Sequence, residues 1–408
     1  MYRVRSNRCL DGFATVFLLA FAALGGSHIV RSASNRKMRQ KWGAPPWPKH
    51  MPSVLLASAL ALSWLHGTAA ADPRRVAPEG PVWTADGGFQ FDSKPNKKRE
   101  SLSGIACPAL SAATPRLCVA VFDEGGEARY VAVDHDRIIP QPEKIVLLPG
   151  NKELDGEGAA CDGDTVYVTG SHSPKRGDCA VNPDGRHVFR FKVDGSTGRA
   201  ALDPTGKPVD LEDDGGNLWN LLKTNNVLSQ FAGDGKCLGS PHYAVNIEGL
   251  AARSGVLYFG LREPAVDQTA YVLTVRADAL FGQGTSNAEI YKFDVGKGRG
   301  IRDLLAVPEG ILILLGPDDE KENNEPGKVS WRIAVWNGSG PQNQTINLNP
   351  LAELDLRNVK PKPCDGGNKG DVKPEAVTML ENGSNFYRLL ILSDGMCNGG
   401  PMSFKVQK

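Results

Sequence analysis

A short phrase that recurs five times constrains the fold of this chain more than any other feature. Each copy has one polar residue ahead of small apolar residues, and a turn and a nearly continuous apolar run follow it. The polar positions are Ser103, Glu157, Glu248, Asp303 and Glu375. Stacked copies of one supersecondary unit bury a shared core whatever the protein does. The repeat therefore predicts architecture strongly and chemistry weakly.

The runs within each repeat predict the blades of a β-propeller. In the third repeat, strand-like runs cover residues 249–252, 256–261, 271–275 and 290–295. The second run is apolar on both faces, as in a strand between packed sheets, and the fourth alternates like an exposed edge. This grading from inner to outer strand is typical of propeller blades. We predict an all-β chain with five four-stranded antiparallel blades.

Two parts of the chain depart from a regular repeat. The interval between Glu157 and Glu248 is the longest, and its residues 217–227 have a helical pattern. We interpret residues 213–230 as a small helical insertion that caps one face, with a sixth blade as the alternative. The last repeat has only three runs, and residues 88–91 are predicted to supply its outer strand, since such closure removes exposed sheet edges.

The first 71 residues have the features of a leader. Residues 54–65 form a short apolar run between a basic segment and small residues, as in a secretory signal peptide. Residues 13–24 form another run, either a second export signal or a membrane anchor, and both are shorter than the roughly 20 residues of a spanning helix. We interpret Met38 or Met51 as the start, and residues 72–408 as a single propeller domain. We expect it to be periplasmic or secreted, without a stable membrane span.

The cysteines fit an oxidising compartment, since seven of the eight follow Asp72. The pairs closest in sequence or in repeat position predict three disulfide bonds. They are Cys107 with Cys118, Cys161 with Cys179, and Cys364 with Cys397. Cys237 is left over as a buried thiol, a partner in a different pairing or a reactive nucleophile.

Composition excludes some classes of function. The formal net charge is +1, so broad electrostatic capture of nucleic acid is not expected. The chain has no Gly-x-Ser-x-Gly elbow and no P-loop. The 46 glycines and 28 prolines agree with a turn-rich β protein. We expect a monomer.

The repeated polar positions are the first candidates for chemistry. The innermost strands of a propeller line its channel, so Glu157, Glu248, Asp303 and Glu375 are predicted to meet at one mouth. Carboxylates gathered there need a neutralising partner. Ligation by carboxylate oxygens suits calcium or magnesium. The alternatives are carboxylates that accept hydrogen bonds from backbone N–H groups of the next blade, and a pair that shares a proton.

The ends of the second strands add candidates at the same mouth. His172 and Asp394 are predicted as catalytic acid or base groups, although an exposed turn histidine is the alternative for His172. Arg262 and Arg302 are predicted to bind a small anionic ligand or a phosphoester. For Arg302, pairing with the neighbouring carboxylates is the alternative.

Several phrases together resemble a known family. They are DGEGA at 155–159, IEGLA at 247–251, GLREP at 260–264, GRGIRD at 298–303 and LGP at 315–317. With them, the chain resembles the bacterial domain-of-unknown-function family 3616 over about residues 101–406, and more distantly it is similar to esterase-like phytase propellers. The family implies no activity. The distant similarity implies action on phosphoesters. Together with the carboxylates at the mouth, it predicts a cation-dependent phosphoester hydrolase, and the alternative is a propeller that binds a ligand or protein without catalysis.

Overall fold

The fold is that of a five-bladed β-propeller in a computed structural model, which describes residues 73–108, 115–282, 287–342, 344–365 and 370–408. The predicted leader, residues 1–71, lies outside the described residues. All described residues fall within one compact unit of the chain. No helix in these ranges is long and apolar enough to cross a membrane.

Blades 1, 2 and 3 follow one another along the chain, and each is an antiparallel sheet that runs from the innermost strand outward. Blade 1 consists of Leu102–Ala106, Arg116–Phe122, Glu127–Asp134 and Arg137–Val146. Blade 2 consists of Gly156–Asp162, Thr165–Gly170, Val188–Lys192 and the short Glu212–Asp213. Blade 3 consists of Asn246–Arg253, Val256–Glu263, Thr269–Arg276 and Glu289–Asp294.

Blades 4 and 5 complete the ring. Blade 4 consists of Arg299–Val307, Gly310–Pro317, Arg332–Trp336 and Pro350–Leu354. Blade 5 has three strands, Lys373–Asn382, Phe386–Asp394 and Met402–Gln407. The predicted all-β propeller is confirmed, and the strands in the described ranges form five sheets rather than six.

The ring is held together by apolar cores between neighbouring blades. Val119 and Ile145 of blade 1 pack with Phe189 of blade 2, and equivalent clusters fill the other junctions. At the closing junction, Leu390 and Leu392 of blade 5 pack against blade 1. The innermost strands also contact one another around the whole ring. The five blades therefore form a closed ring, with the innermost strand of each sheet at the channel.

The N-terminal segment closes the ring differently from the sequence prediction. Residues 88–91 form no strand, because Phe89 and Phe91 are buried against Phe122 in the core between blades 5 and 1. Glu79 and Trp83 instead donate backbone hydrogen bonds along the outer edge of blade 5, to the carbonyls of Ser403 and Pro401. Three short strands lie parallel to outer strands of other blades: Arg75–Val76 on blade 4, Thr84–Ala85 on blade 1 and Thr345–Asn347 on blade 3.

Helices are few and short. The predicted insertion contains the helix Asn217–Thr224, whose Leu218 and Leu222 are buried in the core between blades 2 and 3. The carboxylate of Asp214 accepts a hydrogen bond from the Leu218 N–H at 2.8 Å and so satisfies its first turn. The other helical segments are Pro95–Arg99, Pro183–Gly185, Ala277–Phe281 and Cys397–Gly399.

Candidate functional site

A β-bulge in the innermost strand of every blade places one side chain at the channel mouth. In each blade the register between the first and second strands shifts by one residue at the repeated phrase. A bulge leaves one residue unpaired and re-aims its side chain. The five bulged residues are Ser103, Glu157, Glu248, Arg302 and Glu375. The sequence predicted Asp303 at the channel mouth in blade 4, which was wrong by one position. The bulged residue of blade 4 is Arg302.

The residue after each bulge packs against the next blade. A Cβ on Gly104 would lie 2.8 Å from the carbonyl oxygen of Glu157, and one on Gly158 would lie 2.7 Å from the Cβ of Leu250. Asp303 occupies this position in blade 4. Its buried carboxylate accepts hydrogen bonds from the N–H groups of Leu304, at 2.8 Å, and Val377 of blade 5, at 2.7 Å. Asp303 therefore fixes the spacing of blades and is not a metal ligand.

Arg302 neutralises two of the other predicted metal ligands. Its Nε lies 2.8 Å from Oε2 of Glu248, and its NH2 contacts Oε1 of Glu375. All three side chains are buried, and Ser103 Oγ also donates to Glu375 at 3.4 Å. Burial and the neighbouring Arg262 lower the pKa of Arg302 to about 10, which leaves it charged near neutral pH. Arg302 thus pairs with two other bulged residues, Glu248 and Glu375, and does not bind substrate.

The ion-pair network continues outward through Arg262. NH1 of Arg262 lies 2.8 Å from Oε1 of Glu248, and its Nε lies 3.3 Å from Oδ1 of Asp319. Arg176 contacts the same carboxylate oxygen of Asp319 at 2.9 Å. Although burial opposes it, the two arginines hold the pKa of Asp319 below its usual range. Three guanidinium groups therefore face three carboxylates, those of Glu248, Glu375 and Asp319, and the network is neutral.

A cavity of about 1110 Å³ opens at this mouth, and seven carboxyl groups outside the neutral network line it. Those of Glu124, Glu153 and Asp184 are each paired with a lysine. We call the other four the acidic group: Asp123, Asp155, Glu157 and Asp394. Asp123 follows the second strand of blade 1, Asp394 ends that of blade 5, and Asp155 and Glu157 lie at the start of blade 2. Lys373 contacts Asp394 at 3.2 Å.

The carboxyl groups of the acidic group repel one another. Burial, followed by the charges of Glu248, Asp155 and Asp123, raises the pKa of Glu157 well above its usual value. Burial, followed by the charges of Asp394 and Asp155, does the same to the pKa of Asp123. Burial also raises the pKa of Asp155, against the hydrogen bond that Ser171 donates to it. Mutual repulsion of this kind is relieved by protons or by a bound cation.

Asn246 adds a buried acceptor to the same cavity. Its side-chain amide donates to Asp319 at 2.9 Å and to Glu248 at 3.3 Å, which fixes the orientation of the amide. Its Oδ1 is buried and has no hydrogen-bond partner among the described residues, and Asn246 is only 3% exposed. A flip of the amide would place the oxygen against two carboxylates, so Oδ1 must face a donor or a cation.

The predicted catalytic residues separate in the structure. Asp394 lines the cavity, whereas His172 is fully buried and does not. His172 Nδ1 lies 3.1 Å from the Gly170 carbonyl, and burial lowers the pKa of His172 to about 4. An imidazole that does not reach the cavity cannot exchange protons with a ligand there. The prediction of His172 as a catalytic acid or base was therefore wrong. Arg262 does line the cavity, but protein carboxylates occupy its guanidinium.

The acidic group could be recognised in part from the sequence. Asp123 and Asp394 are acidic residues at the ends of second strands, and Asp155 begins the DGEGA motif that the family resemblance rests on. Among the residues that the structure describes, His187, Asp213 and Asp214 bring their ligand atoms within 4.8 Å of one another, whereas the carboxylates of the acidic group do not come this close together. Asp213 pairs with His187 at 2.9 Å, and Asp214 accepts hydrogen bonds from the N–H groups of Val188 in blade 2 and Leu218 in the helix that follows. Those three residues are already satisfied without a metal ion.

Three disulfide bonds are present in the described part of the chain. The predicted bonds Cys107–Cys118 and Cys364–Cys397 are confirmed. The prediction for Cys161 and Cys179 was wrong, because Cys179 pairs with Cys237 and Cys161 is a free thiol. Cys161 is paired in register with Val166 at one end of the second strand of blade 2, and Cys179 lies beyond the other end. A strand of that length separates them by more than the roughly 7 Å that a disulfide can span.

Comparisons with known proteins support the family suggested by the motifs. A sequence model of the family described as "Protein of unknown function (DUF3616)" matches residues 197–398. Among curated proteins, no sequence matches the chain.

Some solved structures are similar over much of the chain, at low identity. The Bombyx mori GH32 β-fructofuranosidase BmSUC1 has 11% identity and a TM-score of 0.35, over 74% of this chain and 58% of that one. A luciferin-regenerating enzyme has 9% identity and a TM-score of 0.33, over 76% of this chain and 92% of that one. YCF48 from Cyanidioschyzon merolae has 11% identity and a TM-score of 0.29, over 78% and 99%. Matches this distant carry no information about the chemistry of the cavity.

Proposed function

Because the chain belongs, over residues 197–398, to the DUF3616 family of unknown function, we propose its function from the cavity itself. The protein is an exported β-propeller whose central cavity binds a divalent cation, calcium or magnesium, together with a small ligand. The observation that carries this proposal is the acidic group, which the arginines of the channel leave without enough neutralising charge.

The charge of the cavity favours a cation over protons alone. The guanidinium groups of Arg176, Arg262 and Arg302 already face three carboxylates, and Lys373 contacts one member of the acidic group. Three further carboxyl groups remain, and burial, together with the charges of neighbouring carboxylates, raises the pKa of each. A divalent cation counters this rise and lets all of them ionise.

The donor set selects the kind of cation. Carboxylate oxygens and the unpaired amide oxygen of Asn246 are hard ligands, and neither a thiol nor an imidazole lines the cavity with them. Calcium takes six to eight such oxygens and tolerates irregular geometry, whereas magnesium keeps more of its water. Asp123, Asp155, Glu157 and Asn246 would hold the ion, so the predicted ligands Glu248, Asp303 and Glu375 are replaced.

Titration with calcium tests this proposal. We expect calcium to bind with measurable heat and to raise the melting temperature, because a ligand at a hundred times its Kd stabilises the folded state by about 2.7 kcal/mol. Glu157→Gln should weaken calcium binding by at least tenfold. Glu322→Gln, an exposed glutamate that does not line the cavity, is the matched control. Absence of binding by both calcium and magnesium to the wild-type protein would refute the proposal.

Hydrolysis of a phosphoester is the second candidate function. It is favoured by Asp394, a carboxylate at the cavity wall that is placed to activate water beside a bound cation. Turnover of a phosphomonoester that requires calcium or magnesium and is lost in Asp394→Asn would support catalysis. Cation binding without turnover of any phosphoester would leave the protein as a non-catalytic ligand-binding propeller.

Export is supported by the disulfide bonds of the described domain, because such bonds persist in oxidising compartments. We expect the mature protein in the periplasmic or secreted fraction. N-terminal sequencing of the purified protein should begin near Asp72. A cytoplasmic protein with reduced cysteines and an intact leader would contradict this part of the proposal.

A further inference from the structure

We propose that the ligand of this cavity carries an oxyanion, a carboxylate or a phosphate, and that Lys175, Arg176 and Lys321 bind it. We call these three residues the basic rim. This inference rests on the proposed function, since the cation at the acidic group and the basic rim would contact one ligand. It adds the chemical class of that ligand and the residues that select it.

The basic rim consists of exposed cationic side chains that line the cavity. Lys175 and Arg176 lie on the loop after the second strand of blade 2, and Lys321 lies on the equivalent loop of blade 4. In the part of the chain that the structure describes, neither lysine has an ion-pair partner. Two positive charges at the cavity are thus free to meet a negatively charged ligand.

The guanidinium of Arg176 is held in place by a buried carboxylate. Its NH2 contacts Asp319, whose side chain is fully buried, while 61% of the Arg176 side chain stays exposed. Asp319 is fixed in turn by Arg262 and Asn246. One nitrogen of Arg176 is therefore anchored, and its remaining N–H groups are available for a bidentate contact with an oxyanion.

The loops that carry the basic rim are tied to each other. The Cys179–Cys237 bond joins the Arg176 loop to the segment before blade 3, and both cysteines line the cavity. In that segment the Ser240 N–H donates to Glu320 at 2.6 Å, next to Lys321. Cross-links of this kind pre-organise a binding site and lower the entropy lost when a ligand binds.

The size and polarity of the cavity indicate a small ligand with a negative group. A volume of about 1110 Å³ is close to that of small-molecule sites, which run to roughly 1,000 Å³. Its acidic group attracts a cation, whereas the two lysines of its basic rim have no ion-pair partner in the described ranges. An anionic group that contacts both the bound cation and the basic rim satisfies the two charged regions at once.

Calorimetry on the full mature domain tests the inference, with methylphosphonate as the phosphate-like probe and malonate as the carboxylate probe. Each probe is titrated with and without saturating calcium. We expect at least one probe to bind, and its affinity to rise tenfold or more when calcium is present. The variant Lys175→Ala/Arg176→Gln/Lys321→Ala should lose at least tenfold in affinity for that probe. Lys328→Ala, an exposed lysine on the same loop as Lys321 but outside the cavity, is the matched control.

The outcomes separate this inference from the proposed function. Calcium binding to the wild-type protein, with no binding of either probe, would overturn the basic rim and leave the cation site intact. Probe binding that is lost in the triple variant but unaffected by calcium would support the basic rim and contradict a contact between the bound ligand and the cation. Equal binding of a probe to the triple variant and to Lys328→Ala would also overturn the basic rim. Preference between methylphosphonate and malonate identifies the oxyanion.

Discussion

At the scale of single residues, Arg302 determines the electrostatics of the channel. It is 1% exposed and lies between two buried glutamates, Glu248 and Glu375. Breaking a buried ion pair by removing one partner leaves an uncompensated charge, which costs more than the pair contributes. The sequence allowed either a substrate-binding arginine or pairing with neighbouring carboxylates at this position, and in the structure Arg302 makes the pairs.

Arg302→Met should lower the free energy of unfolding by about 3–5 kcal/mol, because it leaves Glu375 buried without a cation and Glu248 with Arg262 alone. Denaturant unfolding measures the loss. Arg357→Met, which removes a 70% exposed arginine paired with Asp355, should cost less than about 1 kcal/mol. Equal losses in the two variants would contradict the role of Arg302.

Glu263 gives a pH dependence that can be assigned to one residue. It is 1% exposed, and the Gly239 N–H donates to its carboxyl at 2.7 Å. Burial, together with the charge of neighbouring Asp319, raises its pKa from 4.5 to about 9, while Arg262 opposes the rise. The folded protein therefore keeps a proton that the unfolded chain loses above about pH 4.5. This contribution to stability is complete below pH 4.5 and is lost as the pH rises to about 9.

Glu263→Gln should remove this pH dependence, because glutamine imitates the protonated carboxyl and can still accept from Gly239. Between pH 6 and 8.5 the wild-type protein should lose stability relative to the variant, by up to about 1.4 kcal/mol per pH unit. Chemical unfolding of both proteins across this range measures the difference. Parallel stability curves would show that Glu263 is ionised in the folded protein.

At the scale of elements, the bulged inner strand explains both the success and the error of the sequence prediction. The repeated phrase located all five inner strands, because a polar residue ahead of small residues is a local pattern. It misplaced the fourth member of the ring, since in blade 4 Arg302 and Asp303 are both polar and only the strand register tells which one is bulged. Local sequence patterns also could not predict the pairing of Cys179 with Cys237, because this bond joins loops from different blades.

The small residues after the bulges should be needed for the spacing of blades. Gly158→Ala places a Cβ 2.7 Å from that of Leu250 in blade 3, so we expect a loss of about 1–3 kcal/mol from overpacking. Gly195→Ala is the control, because no atom lies within 4 Å of the added Cβ. Thermal unfolding compares the two. A Gly158→Ala protein as stable as the control would mean that the blades tolerate a wider spacing.

At the scale of the whole molecule, closure of the ring depends on contacts that no local pattern reveals. The N-terminal segment bonds to blade 5 through Glu79 and Trp83 and adds short strands to blades 4 and 1. The sequence predicted closure by this region but selected residues 88–91, whose phenylalanines are buried in the junction core instead. The same closure brings Asp123 of blade 1 and Asp394 of blade 5 to one wall of the cavity, although they are far apart in the chain.

A crystal structure of the protein grown with calcium is the most direct test of the central claim, that the acidic group holds a divalent cation. We expect one ion in the central cavity, with oxygens of Asp123, Asp155, Glu157 and Asn246 at about 2.3–2.6 Å. Its occupancy should disappear in crystals of Glu157→Gln. An ion-free cavity at saturating calcium, with these carboxyl groups bonded to one another or to water, would show that the acidic group holds no cation.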